Sequence, residues 1–204
     1  MYEFAPVLGR ALDRIQRPLM RLLHETLGVT PTHISWAAFG GSAVAAGLIG
    51  AHRVGWGLIA MAIGQVLDGM DGAMARQYNL VSDAGRRLDE LLDRASETVI
   101  FLAFWWGGLV ALREVFLALC AVMLLTTISN RSKLDPGAKR FALYFGLLFP
   151  WTLIFRIIAG INLAGYVIGL LIIDCQFQLK MDKIGGDLDT VASRANKLEM
   201  EGKL

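Results

Sequence analysis

The chain has 204 residues, 55% of them hydrophobic, and a mean hydropathy of +0.50. This composition excludes a disordered protein and argues against an ordinary soluble domain. The formal net charge of +2 gives no reason to expect a nucleic-acid partner, so the positions of the charges carry more information than their sum.

Residues 1–30 predict a juxtamembrane helix that lies in the membrane interface. Leucine and isoleucine recur at helical spacing over residues 4–27, and arginines alternate with them every three or four positions. This is the pattern of an amphipathic interfacial helix. A soluble helix packed on another domain is the alternative. The arginines are Arg10, Arg14, Arg17 and Arg21.

Residues 31–180 predict an all-α integral membrane domain of six transmembrane helices. A helix needs roughly 20 apolar residues to cross a bilayer, and the chain carries apolar blocks of this length between short charged stretches. Residues 181–204 are polar and predict a cytoplasmic tail. The six candidate spans are about 32–52, 54–77, 86–110, 112–130, 138–158 and 160–180.

The basic residues predict how the domain is oriented in the cell membrane. Most of the 20 lysines and arginines fall on the side that holds both chain termini. Only Arg53, Arg113 and Arg156 fall at or near the other side. Because cytoplasmic loops are enriched in Lys and Arg, both termini are predicted to be cytoplasmic.

Four aspartates lie where a bilayer does not tolerate them without a partner. Asp68 and Asp71 come near the end of the second predicted span, and Asp89 and Asp93 near the start of the third. A carboxylate at membrane depth costs several kcal/mol unless it is paired, hydrated or bound to a cation. Residues three or four apart share a helix face, and a loop of about eight residues makes the two helices antiparallel neighbours. The four carboxylates are therefore expected to converge at the cytoplasmic end.

Such a cluster predicts a divalent metal site. Carboxylate oxygens suit Mg²⁺, Mn²⁺ or Ca²⁺, and two close metals held by carboxylates are the usual machinery for displacement at phosphorus. Arg76 ends the second span, where a guanidinium can hold a phosphate with two hydrogen bonds. A surface arginine that only satisfies the charge rule is the alternative. Gly72, Ala75 and Gly85 are small enough to leave room for a ligand near the backbone.

Residues 68–93 carry a resemblance to a known family. They read DGMDGAMARQYNLVSDAGRRLDELLD. This resembles the CDP-alcohol phosphotransferase signature, D-x2-D-G-x2-A-R-x8-G-x3-D-x3-D, at every one of its specified positions. The resemblance implies a six-span fold with an interfacial N-terminal helix, a homodimer and a phosphotransferase activity that releases CMP.

The resemblance also implies roles for individual residues. The four aspartates would bind Mg²⁺ or Mn²⁺, as two ions that grip the pyrophosphate of CDP-diacylglycerol, and Asp93 would also be the general base. Pro31 and Ser35 are similar to a Thr-Pro-(Asn/Asp)-x-x-Thr element of the family, from which Thr32 and Ser35 depart. The implied donor-binding residues are Asp71, Gly72, Ala75, Arg76, Gly85, Pro31 and Ser35.

The acceptor alcohol is less closely defined. Residues 88–97 read LDELLDRASE, which lacks the proline and lysine usual in phosphatidylglycerophosphate synthases and resembles the branch that makes inositol-phosphate lipids. An inositol phosphate is therefore the expected acceptor, and glycerol 3-phosphate the alternative. An ion-coupled transporter is the alternative from another class of protein. The candidate acceptor-binding residues, which the charge rule alone also explains, are Arg131, Lys133, Lys139 and Arg140.

Overall fold

The computed structural model describes residues 20–132 and 139–200. For residues 26, 130 and 182–200 it describes the backbone only. Every regular element in this part of the chain is helical. A π-helical turn, Leu22–Thr26, precedes the first helix, and a 3-10 turn, Phe145–Leu147, follows the fifth. The helices are α1 (Pro31–Gly50), α2 (Val54–Gln77), α3 (Asp83–Trp106), α4 (Leu112–Ser132), α5 (Lys139–Tyr144) and α6 (Trp151–Met200).

Local sequence signals explain where the helices around the four aspartates begin and end. Thr30 caps α1 in a capping box with His33, and Pro31 occupies the first turn, where its missing N–H costs nothing. At the end of α2, Asn79 adopts a left-handed backbone with φ 53°, a conformation that asparagine tolerates and that commonly ends helices. Ser82 caps α3 by accepting a hydrogen bond of 3.0 Å from the Gly85 N–H.

Within the part of the chain that the structure describes, three helices are long and apolar enough to cross a membrane: Val54–Gln77, Leu112–Ser129 and Trp151–Met181. The expectation of an all-helical protein with membrane-spanning segments agrees with this, whereas the count of six spans stays a prediction. Two other predicted spans coincide with the long helices α1 and α3. Eight charged residues between Asp83 and Glu97 make the first half of α3 polar.

The last two predicted spans differ from the helices found. The sequence predicts spans at 138–158 and 160–180, with a break near Gly160. In the structure α5 is only six residues long, and α6 runs without interruption through Gly160. The break lies instead just before Trp151, at Pro150. A glycine inside a helix costs about 1 kcal/mol but does not end it, whereas proline has no N–H with which to continue a helix.

The chain divides into two compact units. The described part of the first comprises residues 20–116 and 140–154, and that of the second 117–132, 139 and 155–200. In the first unit α1 packs against both α2 and α3. Small residues permit this approach, since a Cβ placed on Gly41 of α1 would lie 3.3 Å from Gly64 Cα of α2.

The second unit contains most of α4 and most of α6. A Cβ placed on Gly169 of α6 would lie 2.6 Å from Ile128 Cδ1 and 3.2 Å from Ser132 Oγ of α4. The glycine therefore lets α6 lie directly against α4. Asn162, also on α6, is buried, and its amide donates to the Ile158 carbonyl at 2.7 Å.

The predicted juxtamembrane helix lies mostly outside the described residues, as do Arg10, Arg14 and Arg17. The structure does describe its last residues. Met20 is fully buried in an apolar cluster with Ile34 of α1 and three residues of α2, which are Met70, Ala73 and Met74.

Polar contacts reinforce that attachment. The Tyr78 hydroxyl donates to Glu25 Oε1 at 3.0 Å, and the Tyr78 ring lies 4.2 Å from the His24 ring, centroid to centroid. The segment before α1 is thus packed against the end of α2 that carries Asp68 and Asp71. At the other end of the chain, the predicted polar tail begins inside α6, whose backbone stays helical to Met200.

Candidate active site

Three of the four aspartates meet at one point of the first unit. Carboxylate oxygens of Asp68 and Asp71, on α2, and of Asp89, on α3, all lie within 4.8 Å of one another. A loop of only five residues, 78–82, joins the two helices. We call these three residues the aspartate triad.

Asp71 is the most enclosed member of the triad, with 5% of its surface exposed. Its Oδ2 accepts a hydrogen bond of 2.5 Å from the Ser35 hydroxyl of α1, and its Oδ1 accepts one of 2.5 Å from the Gly72 N–H. The Ser35 hydroxyl is also 3.2 Å from the Pro31 carbonyl oxygen. The orientation of this carboxylate is therefore set from two helices.

Asp93 lies one turn beyond Asp89 on α3 and has a different partner. Its Oδ1 accepts a hydrogen bond from the Arg140 guanidinium of α5, which also donates to the Asp93 backbone carbonyl at 3.1 Å. Arg94 Nη2 approaches Asp93 Oδ2 to 3.8 Å, and Arg94 Nη1 bonds Glu97 Oε2 at 2.6 Å. Two guanidinium groups therefore balance the negative charge of Asp93 and Glu97.

The triad fits a divalent cation by its donor chemistry. Three carboxylates within 4.8 Å of one another repel strongly unless a cation or protons compensate them. All the converging atoms are hard oxygen donors, which suit Mg²⁺ or Mn²⁺ and do not suit metals that prefer sulfur or imidazole. Asp68, Asp71 and Asp89 are therefore able to hold a metal ion, and Asp93 lies one turn beyond Asp89 on α3.

A cavity of about 500 Å³ opens beside the triad, between the starts of α1 and α3 and the end of α2. The donor-binding residues that the sequence predicts are brought together on its walls. Gly72 leaves space for the Arg76 side chain, since a Cβ there would lie 3.3 Å from Arg76 Nη1. The predicted residues on the walls are Pro31, Ser35, Asp71, Gly72, Ala75, Arg76 and Gly85.

Gly85 has a local structural role in addition to its place on the wall. A Cβ at this position would lie 3.0 Å from Ser82 Oγ, the atom that caps α3. A larger residue would press on the cap and project towards the cavity. The small size of Gly85 therefore serves both the start of α3 and the space beside Asp89.

The candidate acceptor residues do not share one environment. Arg140 is buried and bound to Asp93 in the first unit, whereas Lys139, also buried, belongs to the second. Arg131 is exposed near the end of α4 in the second unit, and Lys133 lies outside the described residues. Arg140 is thus placed by the structure directly against an aspartate of the site.

Sequence reasoning missed several cavity residues and one contact. Thr30 and Ser82 line the cavity because they are the N-caps of α1 and α3, and a Ser or Thr before a helix start is a signal that can be read from sequence. Leu80 and Val81 also line it, from the short loop, and their sequence carries no comparable signal. The Arg140–Asp93 ion pair joins residues 47 positions apart.

Comparison with known proteins agrees with this geometry. The sequence profile of the CDP-alcohol phosphatidyltransferase family matches residues 29–173. The chain is 29% identical over 130 residues to archaetidylinositol phosphate synthase of Pyrococcus horikoshii, covering 63% of this chain and 69% of that one. It is 31% identical over 111 residues to the CMP-forming cardiolipin synthase of Streptomyces coelicolor, about half of each chain (52% and 52%).

Solved structures show the same fold. Phosphatidylinositol phosphate synthase of Mycobacterium tuberculosis with bound CDP-DAG superimposes with a TM-score of 0.68 at 20% identity, covering 78% of this chain and 94% of that one. The same enzyme in complex with manganese and citrate gives a TM-score of 0.66 at 19% identity, covering 76% and 87%.

The chain belongs to the CDP-alcohol phosphatidyltransferase family. The family resemblance and the enzyme class predicted from residues 68–93 are therefore confirmed.

Proposed function

We propose that this enzyme transfers a phosphatidyl group from CDP-diacylglycerol to a phosphorylated polyol, with an inositol phosphate as the first candidate, and releases CMP. The observation that carries the proposal is the position of the aspartate triad at the edge of a cavity that also contains Arg76 and the small residues of α2 and α3. A pyrophosphate could bind at the triad, Arg76 could balance its negative charge, and the cavity could hold the nucleotide.

The residues divide the work of the reaction among themselves. Asp68, Asp71 and Asp89 would hold Mg²⁺ or Mn²⁺, proposed as two ions, and the bound metal would supply positive charge to neutralise the pyrophosphate of the donor. Arg76 gives the leaving nucleotide a second positive partner. Gly72, Ala75 and Gly85 admit the nucleotide close to the backbone, and Pro31 and Ser35 form the wall on α1.

Asp93 takes the proton from the acceptor hydroxyl in this proposal. The hydroxyl oxygen then forms a bond to the β-phosphorus of the donor. The bond from that phosphorus to the bridging oxygen breaks, and the electron pair leaves with CMP. The position of Asp93 one turn after Asp89 supports this role, because an acceptor bound beside the donor would reach both residues.

Two facts support a phosphorylated acceptor, and the second of them favours an inositol phosphate. Arg140 brings a buried guanidinium to Asp93, where a phosphate on the acceptor would find a partner. The matched Pyrococcus relative is an archaetidylinositol phosphate synthase. Lys139, Arg131 and Lys133 are proposed as further acceptor-binding residues on the sequence alone, and glycerol 3-phosphate remains the alternative acceptor.

The proposal places the enzyme in the cell membrane with both termini and the active site on the cytoplasmic side. The distribution of lysine and arginine supports this orientation. Residues 1–30 would lie on the membrane surface, 31–180 would form the catalytic domain with six spans, and 181–204 would face the cytoplasm. A homodimer is proposed on the family resemblance.

An acceptor screen tests the proposal directly. Purified protein in lipid vesicles is given radiolabelled CDP-diacylglycerol and Mn²⁺ with inositol 1-phosphate, glycerol 3-phosphate, inositol or serine in separate reactions. We expect CMP and a new labelled lipid with inositol 1-phosphate, and neither product from Asp89→Asn. A labelled lipid formed only with glycerol 3-phosphate would replace the acceptor, and no product with any alcohol would overturn the proposed function.

A further inference from the structure

The contact between Arg140 and Asp93 is an ion pair whose cation is almost fully buried. The Arg140 side chain is 9% exposed and that of Asp93 32% exposed. The guanidinium binds both the carboxylate and the backbone carbonyl of Asp93. A buried guanidinium needs an anionic partner at all times, because leaving it unpaired costs several kcal/mol.

The position of Arg140 is fixed from its own helix. One turn further along α5, the Tyr144 hydroxyl lies 3.3 Å from the Leu58 carbonyl and 3.2 Å from Gln65 Oε1, both on α2. Leu143 beside it is fully buried. The contacts of Tyr144 and Leu143 therefore hold α5 in place and keep Arg140 beside Asp93.

We propose that Arg140 acts as a switch: it holds Asp93 until the phosphate group of the acceptor takes the guanidinium, and only then releases the carboxylate to accept a proton. The inference rests on the proposed function, because it assigns Asp93 and Arg140 to one reaction. Its consequence is that proton removal starts only when a phosphorylated acceptor is in place.

The chemistry gives such a switch a purpose. Water is also a nucleophile, and a carboxylate free to accept its proton would assist hydrolysis of the donor. In that side reaction the water oxygen bonds to the β-phosphorus, CMP leaves, and the products are phosphatidate and CMP. An Asp93 held by Arg140 is directed towards the guanidinium and not towards a water molecule beside the donor.

A phosphate group is the ligand that suits the exchange. Arginine binds phosphate with two parallel hydrogen bonds, and a phosphate dianion carries more charge than the carboxylate it replaces. The guanidinium keeps an anionic partner throughout, so no buried charge is left uncompensated. A neutral polyol such as inositol offers no anion and would leave Arg140 on Asp93.

Phosphate binding without metal or donor tests the ion-pair exchange independently of catalysis. Isothermal titration in a chelator-containing buffer measures the affinity for inositol 1-phosphate and for inorganic phosphate. A ligand that needs Arg140 competes with Asp93 for it, so the apparent affinity falls in proportion to the fraction of Arg140 that is not paired with Asp93. Asp93→Asn should therefore bind both ligands about tenfold more tightly than the wild type.

Asp89→Asn is the matched control for this measurement. It removes one negative charge from the same helix but leaves the ion pair between Arg140 and Asp93 in place. A small gain in affinity is expected from the lost repulsion alone. If Asp93→Asn binds phosphate no more tightly than Asp89→Asn does, the exchange does not occur and the inference is wrong.

The second test measures CMP release in the absence of any alcohol. We expect Arg140→Gln to lose transfer to inositol 1-phosphate and to raise the rate of this alcohol-free hydrolysis about tenfold, the size of one lost charged contact. Inorganic phosphate should raise hydrolysis by the wild type and have no effect on Arg140→Gln. Arg87→Gln, which removes an exposed arginine of α3, should hydrolyse the donor at the wild-type rate.

The outcomes separate the inference from the proposed function. Transfer lost in Arg140→Gln with hydrolysis unchanged would mean that Arg140 only binds the acceptor, and would overturn the switch. A wild type that forms no lipid from any alcohol would overturn the proposed function, while the titration would still decide the exchange. If Arg140→Gln does not fold, Tyr144→Phe loosens α5 without removing the charge and should also raise the rate of alcohol-free hydrolysis; no rise would count against the switch.

Discussion

The Ser35 hydroxyl on α1 donates a hydrogen bond of 2.5 Å to Asp71 Oδ2 on α2. α1 contributes no carboxylate of its own, because its sequence contains neither Asp nor Glu. It nevertheless sets the direction of the most buried carboxylate of the triad. Residues that orient a metal ligand from behind commonly change metal affinity or activity 10–100-fold when removed.

Ser35→Ala should therefore weaken Mn²⁺ binding and lower activity roughly 10-fold, by the loss of this orienting contact. Ser35→Thr keeps the hydroxyl and should retain most of the activity. The control is Ser42→Ala, two turns along α1, where the hydroxyl lies 3.2 Å from the Ala38 carbonyl of its own helix. Activity measured against Mn²⁺ concentration distinguishes the variants, and an unchanged Mn²⁺ requirement in Ser35→Ala would contradict the assigned role.

Removing a carboxylate of the aspartate triad should weaken Mn²⁺ binding more than removing the Ser35 hydroxyl does. Asp68→Asn leaves two carboxylates within 4.8 Å where there were three, and we expect Mn²⁺ affinity to fall more than about 100-fold, beyond the usual effect of a supporting residue. Electron paramagnetic resonance of free Mn²⁺ gives the bound fraction without requiring activity. Asp83→Asn at the start of α3, where the carboxylate is 91% exposed, should bind Mn²⁺ as the wild type does.

The packing of α1 on α2 predicts a difference between two neighbouring glycines. A Cβ on Gly57 would lie 2.5 Å from Ile49 Cγ1 and 3.0 Å from the Ala45 carbonyl oxygen, whereas one on Gly55 would meet nothing within 4 Å. Gly57→Ala should destabilise the protein by about 1–3 kcal/mol through overpacking. Gly55→Ala should be neutral or slightly stabilising. Thermal unfolding in the same detergent compares them, and equal melting temperatures would contradict the close approach.

The sequence predicted the helices of the candidate site well because residue spacing and loop length, both local features, define them. The spacing of Asp68 and Asp71 places both on one face of a helix, and a short connection returns the chain so that Asp89 arrives beside them. The same spacing brought Gly72, Ala75 and Arg76 to the cavity wall. These relations depend on helical periodicity and loop length, both of which can be read from the chain.

Contacts between distant segments were not predictable in this way. No local pattern pairs Arg140 with Asp93, since the position of Arg140 depends on the short helix α5 and its Tyr144 contacts to α2. The sequence also predicted separate spans at 138–158 and 160–180, whereas the structure has a continuous helix across residues 158–160. Hydropathy alone does not show which of two small breaks, Pro150 or Gly160, interrupts the backbone.

Glu97 is a buried carboxylate outside the triad, and its pairing with Arg94 is expected to stabilise the fold. Only 5% of its surface is exposed, and it accepts a hydrogen bond of 2.6 Å from Arg94, whose side chain is 22% exposed. Removing one partner of a buried ion pair leaves the other charge buried and unpaired, which lowers the free energy of unfolding by about 3–5 kcal/mol. Because Arg94 is partly exposed, we expect Glu97→Ala to lower it by only about 2 kcal/mol.

Glu90→Ala is the matched control on the same helix. Glu90 accepts a hydrogen bond of 2.8 Å from Arg86, but both side chains are more than half exposed, at 52% and 57%. Solvent screens such a pair, and its loss should cost no more than about 0.5 kcal/mol. Thermal unfolding should therefore show a clear fall in melting temperature for Glu97→Ala and almost none for Glu90→Ala. Equal shifts would show that the pairing of Arg94 with Glu97 contributes no more than a surface contact, despite its burial.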